Sequence, residues 1–138
     1  MTNIFTYGSL MFDSVWSMVV AGSYDRSESI LQGYDRKGVY NELYPVVVPS
    51  TFNSQVRGIV YRNVSISDLD RLDQFEGEYY FRKTEQVITL DMTILAAEVY
   101  VLKEEYYSII SPQEWDPVHF STTGIHSFMH SYMGGEKQ

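Results

Sequence analysis

The chain has 138 residues, no cysteine and a formal net charge of −8, with 44% of its residues hydrophobic. That length suits one domain, 1–138, able to bury roughly two-thirds of the surface its unfolded chain exposes. The acidic balance and scattered Lys and Arg argue against a nucleic-acid partner, and the lack of cysteine excludes disulfides, thiolate nucleophiles and cysteine-ligated zinc.

MTNIFTYGSL has no basic n-region and no long apolar run, and no later stretch approaches a membrane span. The expectation is a cytoplasmic protein without a membrane partner. Asn3 to Tyr7 is predicted as a strand, opened by the β-favouring pair Ile4 and Phe5. After a turn at Gly8, FDSVWSMVVAG has a helical pattern: Asp13 or Ser14 caps it, Val15, Met18 and Val19 share a face, and Gly22 stops it. SILQGYDRKGVYNELYPVVVPS is broken by glycine and proline at strand-like spacing and reads as two short strands around turns.

Val56 to Val64 alternates as a strand. In SISDLDRLDQFEG the period changes to three, with Leu69, Leu72 and Phe75 on one face, Ser67 and Asp70 as a capping box, and Gly77 as the stop. YYFRKTEQVITL and TILAAEVYVLKEE predict two long strands in a hairpin around Asp91-Met92. Asp116 and Pro117 open a C-terminal helical region. Ile125, Phe128, Met129 and Tyr132 mark one face of a final helix before Gly134-Gly135. Strands outnumber helices and most connections are too short for crossover helices. The predicted class is α+β: a small mixed, mainly antiparallel curled sheet or barrel with short flanking helices.

Few side chains suggest chemistry. FTYGSL lacks the further glycines and lysine of a phosphate cradle and the G-x-S-x-G of a serine hydrolase, so Ser9 has no partner that would make it a nucleophile. Glu76 falls in the last turn of its helix, where the macrodipole disfavours a carboxylate, and Phe75, Tyr79 and Tyr80 can dry it further. Both effects raise its pKa toward the range useful for moving protons. Glu78 reads as a solvated turn residue and Asp73 as an exposed helix charge. His126 and His130 stand at metal-compatible i, i+4 spacing but lack the H-E-x-x-H pattern; with His119 they read as solvated, and no metal is expected.

Three motifs then fall in order: YGSL, VRGIVY, and LDQFEGEYYFRKT with its Tyr80-x-Arg82. Together, over residues 1–103, they resemble the gamma-glutamylcyclotransferase-like family, which includes avirulence-induced plant proteins and gamma-glutamylamine cyclotransferases. The resemblance implies a small mixed barrel in which the YGSL loop and a single glutamate line one cavity. It implies release of 5-oxoproline from a gamma-glutamyl amine or peptide, an acyltransferase or lyase type of reaction, without metal or cofactor. The substrate's own α-amine attacks its γ-carbonyl, and the glutamate of the Phe-Glu pair, here Glu76, serves as general acid and base. Tyr7, Gly8, Ser9 and Leu10 would form the loop that holds an anion through backbone N–H groups, with Gly8 allowing close approach.

Tyr80, Arg82 and Tyr100 are expected to bind substrate; a structural hydrogen bond, ion pair or cavity-wall role is the alternative for each. The loop has the shorter form of a motif that carries an extra residue in some relatives. Two other classes compete with the enzyme: a non-catalytic module binding a small carboxylate metabolite, and an adaptor with a tyrosine-rich surface. That same surface is compatible with a homodimer.

Overall fold

The computed structural model of the chain describes residues 2–133, without the side chains of residues 123 and 131–133. Strand β1 (Thr2–Thr6) leads through a 3₁₀ turn (Ser9–Met11) into helix α1 (Asp13–Val19). Three strands follow, β2 (Arg26–Gln32), β3 (Tyr34–Gly38) and β4 (Pro45–Pro49), where the glycine and proline punctuation had suggested two. Next come β5 (Gln55–Val64), helix α2 (Ile66–Glu76), and the hairpin β6 (Tyr80–Thr89) and β7 (Ile94–Leu102). A 3₁₀ segment (Glu104–Ile109), which periodicity did not reveal, precedes helices α3 (Pro117–His119) and α4 (Ile125–Met133), joined by a π turn. Asp116 caps α3 as expected, accepting the Val118 N–H at 2.9 Å. Tyr132's side chain and Gly134-Gly135 lie outside the described residues.

The strands close into a barrel in the order β1-β5-β2-β6-β7, with β3 and β4 forming a separate two-stranded sheet. Every barrel pairing is antiparallel except that of β7 with β1, which closes the ring. Strand alternation then sorts the apolar residues into two cores. Phe5, Leu31, Val56, Val60, Val87, Val99 and Val101 pack together, which places them inside the barrel. Ile4, Tyr61, Val64 and Tyr100, on the opposite strand faces, pack with Val15, Trp16, Leu72, Phe120 and Phe128 of the helical segments. Gly58 is required where β5 meets β1, because a Cβ there would lie 2.1 Å from the Thr6 carbonyl oxygen.

Local expectations for two helices are corrected. Helix α1 turns Val15 and Trp16 inward while Met18 is 56% exposed. The reason is aromatic: Trp16 stacks flat on Tyr61, ring centroids 3.5 Å apart. Its N-cap is Phe12, not Asp13 or Ser14, and it ends at Val20, ahead of Gly22. In α2 the capping residue is Ser65, whose hydroxyl accepts the Asp68 N–H, not a Ser67–Asp70 box.

Asp68 itself ties α2 to the rest of the fold. Its buried carboxylate accepts hydrogen bonds from the backbone N–H groups of Ala21 and Gly22 at 2.8 and 2.9 Å, from Tyr24 and from Arg71. Burial alone would raise its pKa, but these donors outweigh burial and hold the carboxyl well below the usual carboxylate range. Such a group stabilises the fold above its unfolded pKa of about 3.9, and that contribution is lost as pH falls below it. Asp68→Asn keeps the shape but removes the charge and one acceptor oxygen. The expected loss is about 3 kcal/mol near neutrality, read from urea denaturation, with the difference from wild type narrowing as pH falls toward 3.

Candidate active site

A cavity of about 410 Å³ lies at the end of β1, where the two cores meet. One wall is the chain from Phe5 to Leu10; the other is the end of α2 and its turn, Gln74 to Glu78. Tyr44, Pro45, Tyr79, Tyr80, Tyr100 and Phe128 complete it, so nearly half of the lining residues are aromatic. Glu76 and residues 7 to 10, distant in sequence, are brought together here.

Glu76 keeps part of its residue surface open at the helix end, yet its carboxyl is enclosed by protein. Burial, then the charge of Asp73 one turn earlier in α2, pushes its pKa up to about 8. Three tyrosines come close enough to feel its charge: Tyr7, Tyr80 and Tyr100. All three are held protonated, with burial the largest cause in each. Their hydroxyls are committed elsewhere. Tyr7 donates to the Tyr100 carbonyl at 2.6 Å, Tyr80 to the Pro45 carbonyl at 3.2 Å, and Tyr100 to Asp73 Oδ1 at 2.7 Å. Among the described residues no side chain donates to Glu76 or forms an ion pair with it. A carboxylate there lacks compensation, which is why the neutral acid is favoured.

The loop opposite offers donors without charge. The Gly8 and Ser9 carbonyls close the 3₁₀ turn by accepting from Met11 and Phe12. The N–H groups of Gly8, Ser9 and Leu10 stand at the start of that turn and have no acceptor among the described residues. Behind the loop, the Arg36 guanidinium donates to the Tyr7 carbonyl at 3.0 Å and to the Arg57 carbonyl at 3.1 Å. Gly8 has a negative φ, −135° with ψ −131°, so left-handed freedom is not its purpose. A Cβ at this position would lie 2.6 Å from Pro45 Cδ; its missing side chain makes room for the cavity's own wall.

The remaining candidates separate. Tyr80 and Tyr100 line the cavity, but Arg82 does not. Its Nε donates to Asp73 at 2.8 Å and another guanidinium nitrogen to Glu98 at 3.1 Å, the ion-pair alternative. Asp73 keeps a partly exposed side chain, as expected, but it is not a solitary helix charge: it joins Tyr100 and Arg82. Glu78 sits at the rim, exposed, where it accepts from the Tyr106 hydroxyl. His126 and His130 are exposed, and no cluster of metal-ligating side chains occurs among the described residues. Sequence reasoning missed Tyr44, Pro45, Phe128 and Arg36. Each comes from a segment whose spacing signals only packing, and nothing local in the sequence ties them to the loop.

Comparison with known proteins identifies the family and the fold. Residues 4–117 match the family model "Gamma-glutamyl cyclotransferase, AIG2-like". Protein AIG2 C of Arabidopsis thaliana is 30% identical over 122 residues, spanning 85% of this chain and 73% of that protein. A solution structure of another Arabidopsis thaliana protein superposes with a TM-score of 0.72 at 26% identity, covering 95% of this chain and 79% of the other. A structure named gamma-glutamyl cyclotransferase superposes with a TM-score of 0.64 at 16% identity, over 74% of this chain and 66% of that one, and shares the fold. The chain belongs to the gamma-glutamyl cyclotransferase, AIG2-like family.

Two outcomes follow from the geometry alone. Glu76 has a folded pKa above its unfolded value of about 4.3, so its stabilising contribution is complete below that pH and is lost as pH climbs through about 8. Glu76→Gln should stabilise the fold at pH 9 by at least about 1 kcal/mol once the partly open helix end is allowed for, seen as a higher Tm. The advantage should fade as pH is lowered to 5, and thermal melts at the two pH values read it. Gly8→Ala should destabilise by about 1–3 kcal/mol through overpacking against Pro45, measured by urea denaturation without any ligand.

Proposed function

We propose that this member of the gamma-glutamyl cyclotransferase, AIG2-like family releases 5-oxoproline from a gamma-glutamyl amine or peptide, with Glu76 carrying the proton. The observation that supports it most is an enclosed, unpaired carboxyl, its pKa pushed up to about 8, facing a loop whose backbone N–H groups are unspent. A pocket that merely held a small carboxylate would gain nothing from a second carboxyl inside it.

The chemistry needs little else. The bound substrate brings an ammonium, and its positive charge beside Glu76 favours the carboxylate, which takes one ammonium proton. The freed α-amine attacks the substrate's γ-carbonyl carbon, forming the ring C–N bond and placing negative charge on the carbonyl oxygen. Backbone N–H groups of Gly8, Ser9 and Leu10 hold either that oxygen or the substrate's α-carboxylate without requiring a charged side chain. Protonated Glu76 then returns its proton to the departing nitrogen as the original amide bond breaks. The carbonyl re-forms from the oxyanion, the Glu76 carboxylate takes the second proton from the ring nitrogen and passes it to the released amine, and 5-oxoproline and an ammonium leave with Glu76 again a carboxylate. The enclosed aromatic walls of the cavity help to hold the glutamyl arm curled with amine and carbonyl close, which accounts for much of the acceleration such a cyclisation needs.

The test is to incubate the protein with gamma-glutamyl amines and dipeptides and quantify 5-oxoproline. Wild-type kcat/KM should rise through about pH 8 on its acid side, the pKa of free Glu76. Glu76→Gln should lower turnover by roughly 10²-fold or more while the protein stays folded. Glu78→Gln should have a mild effect. Near-wild-type turnover in Glu76→Gln would remove the proposed role, and a reversed pair of results would transfer it to Glu78.

A further inference from the structure

Asp73 lies one helical turn before Glu76 and outside the cavity lining, where it is held by two side chains behind the site. One of its oxygens receives both the Tyr100 hydroxyl at 2.7 Å and the Arg82 Nε at 2.8 Å. Arg82 is held in turn by Glu98, which also accepts from Thr84. The chain of contacts runs α2–β6–β7, and Arg82 stands directly opposite Tyr100 across the β6–β7 ladder. The Glu98 side chain is 17% exposed, and those of Arg82 and Asp73 are 31% and 38% exposed, so the network is partly screened by solvent.

We propose that Asp73 is a positioning residue for Glu76: it fixes the Tyr100 hydroxyl away from Glu76, and together with Arg82 and Glu98 it sets the charge that Glu76 feels. The proposal rests on the proton-carrying role of Glu76 given above. Two physical consequences support it. A Tyr100 hydroxyl released from Asp73 would be a donor at the cavity wall, and a donor to Glu76 would stabilise its carboxylate and weaken it as a base. A carboxylate one turn away has the opposite effect, and it is already the second cause of Glu76's raised pKa after burial. Arg82 moderates that effect by partly neutralising Asp73.

The other groups around Glu76 do not duplicate this control. Tyr7, Tyr80 and Tyr100 face it from the end of β1, from β6 and from β7, and burial keeps all three neutral. Tyr44 lines the same cavity, and α4 contributes Phe128, which has no titratable group. Glu78 follows in the next turn and is held by Tyr106 at the rim. Among these neighbours, Asp73 with its Arg82 partner is the pair that carries opposite fixed charges in direct contact.

The decisive measurement titrates the Glu76 carboxyl itself, by ¹³C NMR of glutamate-labelled full-length protein, in wild type, Asp73→Asn and Arg82→Leu, with Glu76→Gln to assign the resonance. Asp73→Asn keeps an acceptor for Tyr100 but loses the charge, and should move the Glu76 titration down by roughly one pH unit or more. Arg82→Leu leaves Asp73 un-neutralised and should move it up. The acid limb of kcat/KM should shift in the same directions, and Asp73→Glu should restore the titration toward wild type. An unchanged Glu76 titration in either folded variant overturns the proposal, whatever the loss of stability. If no gamma-glutamyl compound yields 5-oxoproline, the functional reading fails on its own, while the NMR titration still decides whether Asp73 governs Glu76.

Discussion

The closure of the barrel by β1 is the constraint on which the site depends. β1 lies between β5, antiparallel, and β7, parallel, and completes the ring. That closeness is sterically possible because Gly58 has no side chain to collide with the Thr6 carbonyl. The chain must then leave the barrel at Tyr7, and the short 3₁₀ turn that follows leaves its first N–H groups without partners. Strand β7, pinned on the other side of β1, brings Tyr100 to the same edge. The cavity is thus a consequence of how the ring is completed, and the glycine of VRGIVY serves closure while YGSL supplies the surface that closure exposes.

Helix α2 shows how one short element can hold three of its four carboxyls in three different settings. Asp68, in its first turn, is buried but receives donors from Ala21, Gly22, Tyr24 and Arg71, and stays charged. Asp73, in the middle, shares a tyrosine and an arginine. Glu76, at the end, receives none, and its pKa climbs to about 8. Burial of the charged form is unfavourable at the first and last of these positions. What separates them is the supply of hydrogen-bond donors, which decides whether desolvation or charge wins. The first carboxyl orients the helix and the last is free to exchange a proton.

Much of this was legible in the sequence where a pattern is local. The α2 face of Leu69, Leu72 and Phe75, its stop at Gly77 and the Asp91-Met92 hairpin all follow from periodicity and turn chemistry, and Gly77 does adopt the left-handed φ of +81°. The motif resemblance gave the family and brought Glu76 and the YGSL loop to one cavity. What was not legible depended on partners far away in sequence. Helix α1 faces inward through Trp16 because Tyr61, on β5, offers a flat ring, and no periodicity within α1 encodes that. Gly8 looked like an opening for a ligand, and only the position of Pro45 shows that it accommodates the protein's own wall. The raised pKa of Glu76 was expected from a helix dipole and from drying by neighbouring aromatics; burial is its largest cause, and the second, the charge of Asp73, had not been foreseen. Asp73 read as a surface charge because its partners lie on β6 and β7.

An unpaired buried carboxyl opposes folding above its unfolded pKa, so the site can exist only if stability comes from elsewhere. The two cores provide it. Inside the barrel Phe5, Val56, Val60, Val87 and Val99 are almost wholly buried, and outside it Ile4, Val15, Tyr61 and Leu72 are equally so. Each fully buried side chain of this kind contributes about 1.5–3 kcal/mol, so a few suffice to offset a carboxyl held near pKa 8. Glu76 lies at a helix end beside Gly77, where a Cβ would meet open space but the φ of +81° strains any side chain. A donor brought to the carboxyl from elsewhere in the cavity wall would relax it and offset its cost to folding. It would also make the carboxylate a weaker base. Stability and proton transfer therefore pull this position in opposite directions, and the cavity keeps Glu76 without a partner at the expense of the first.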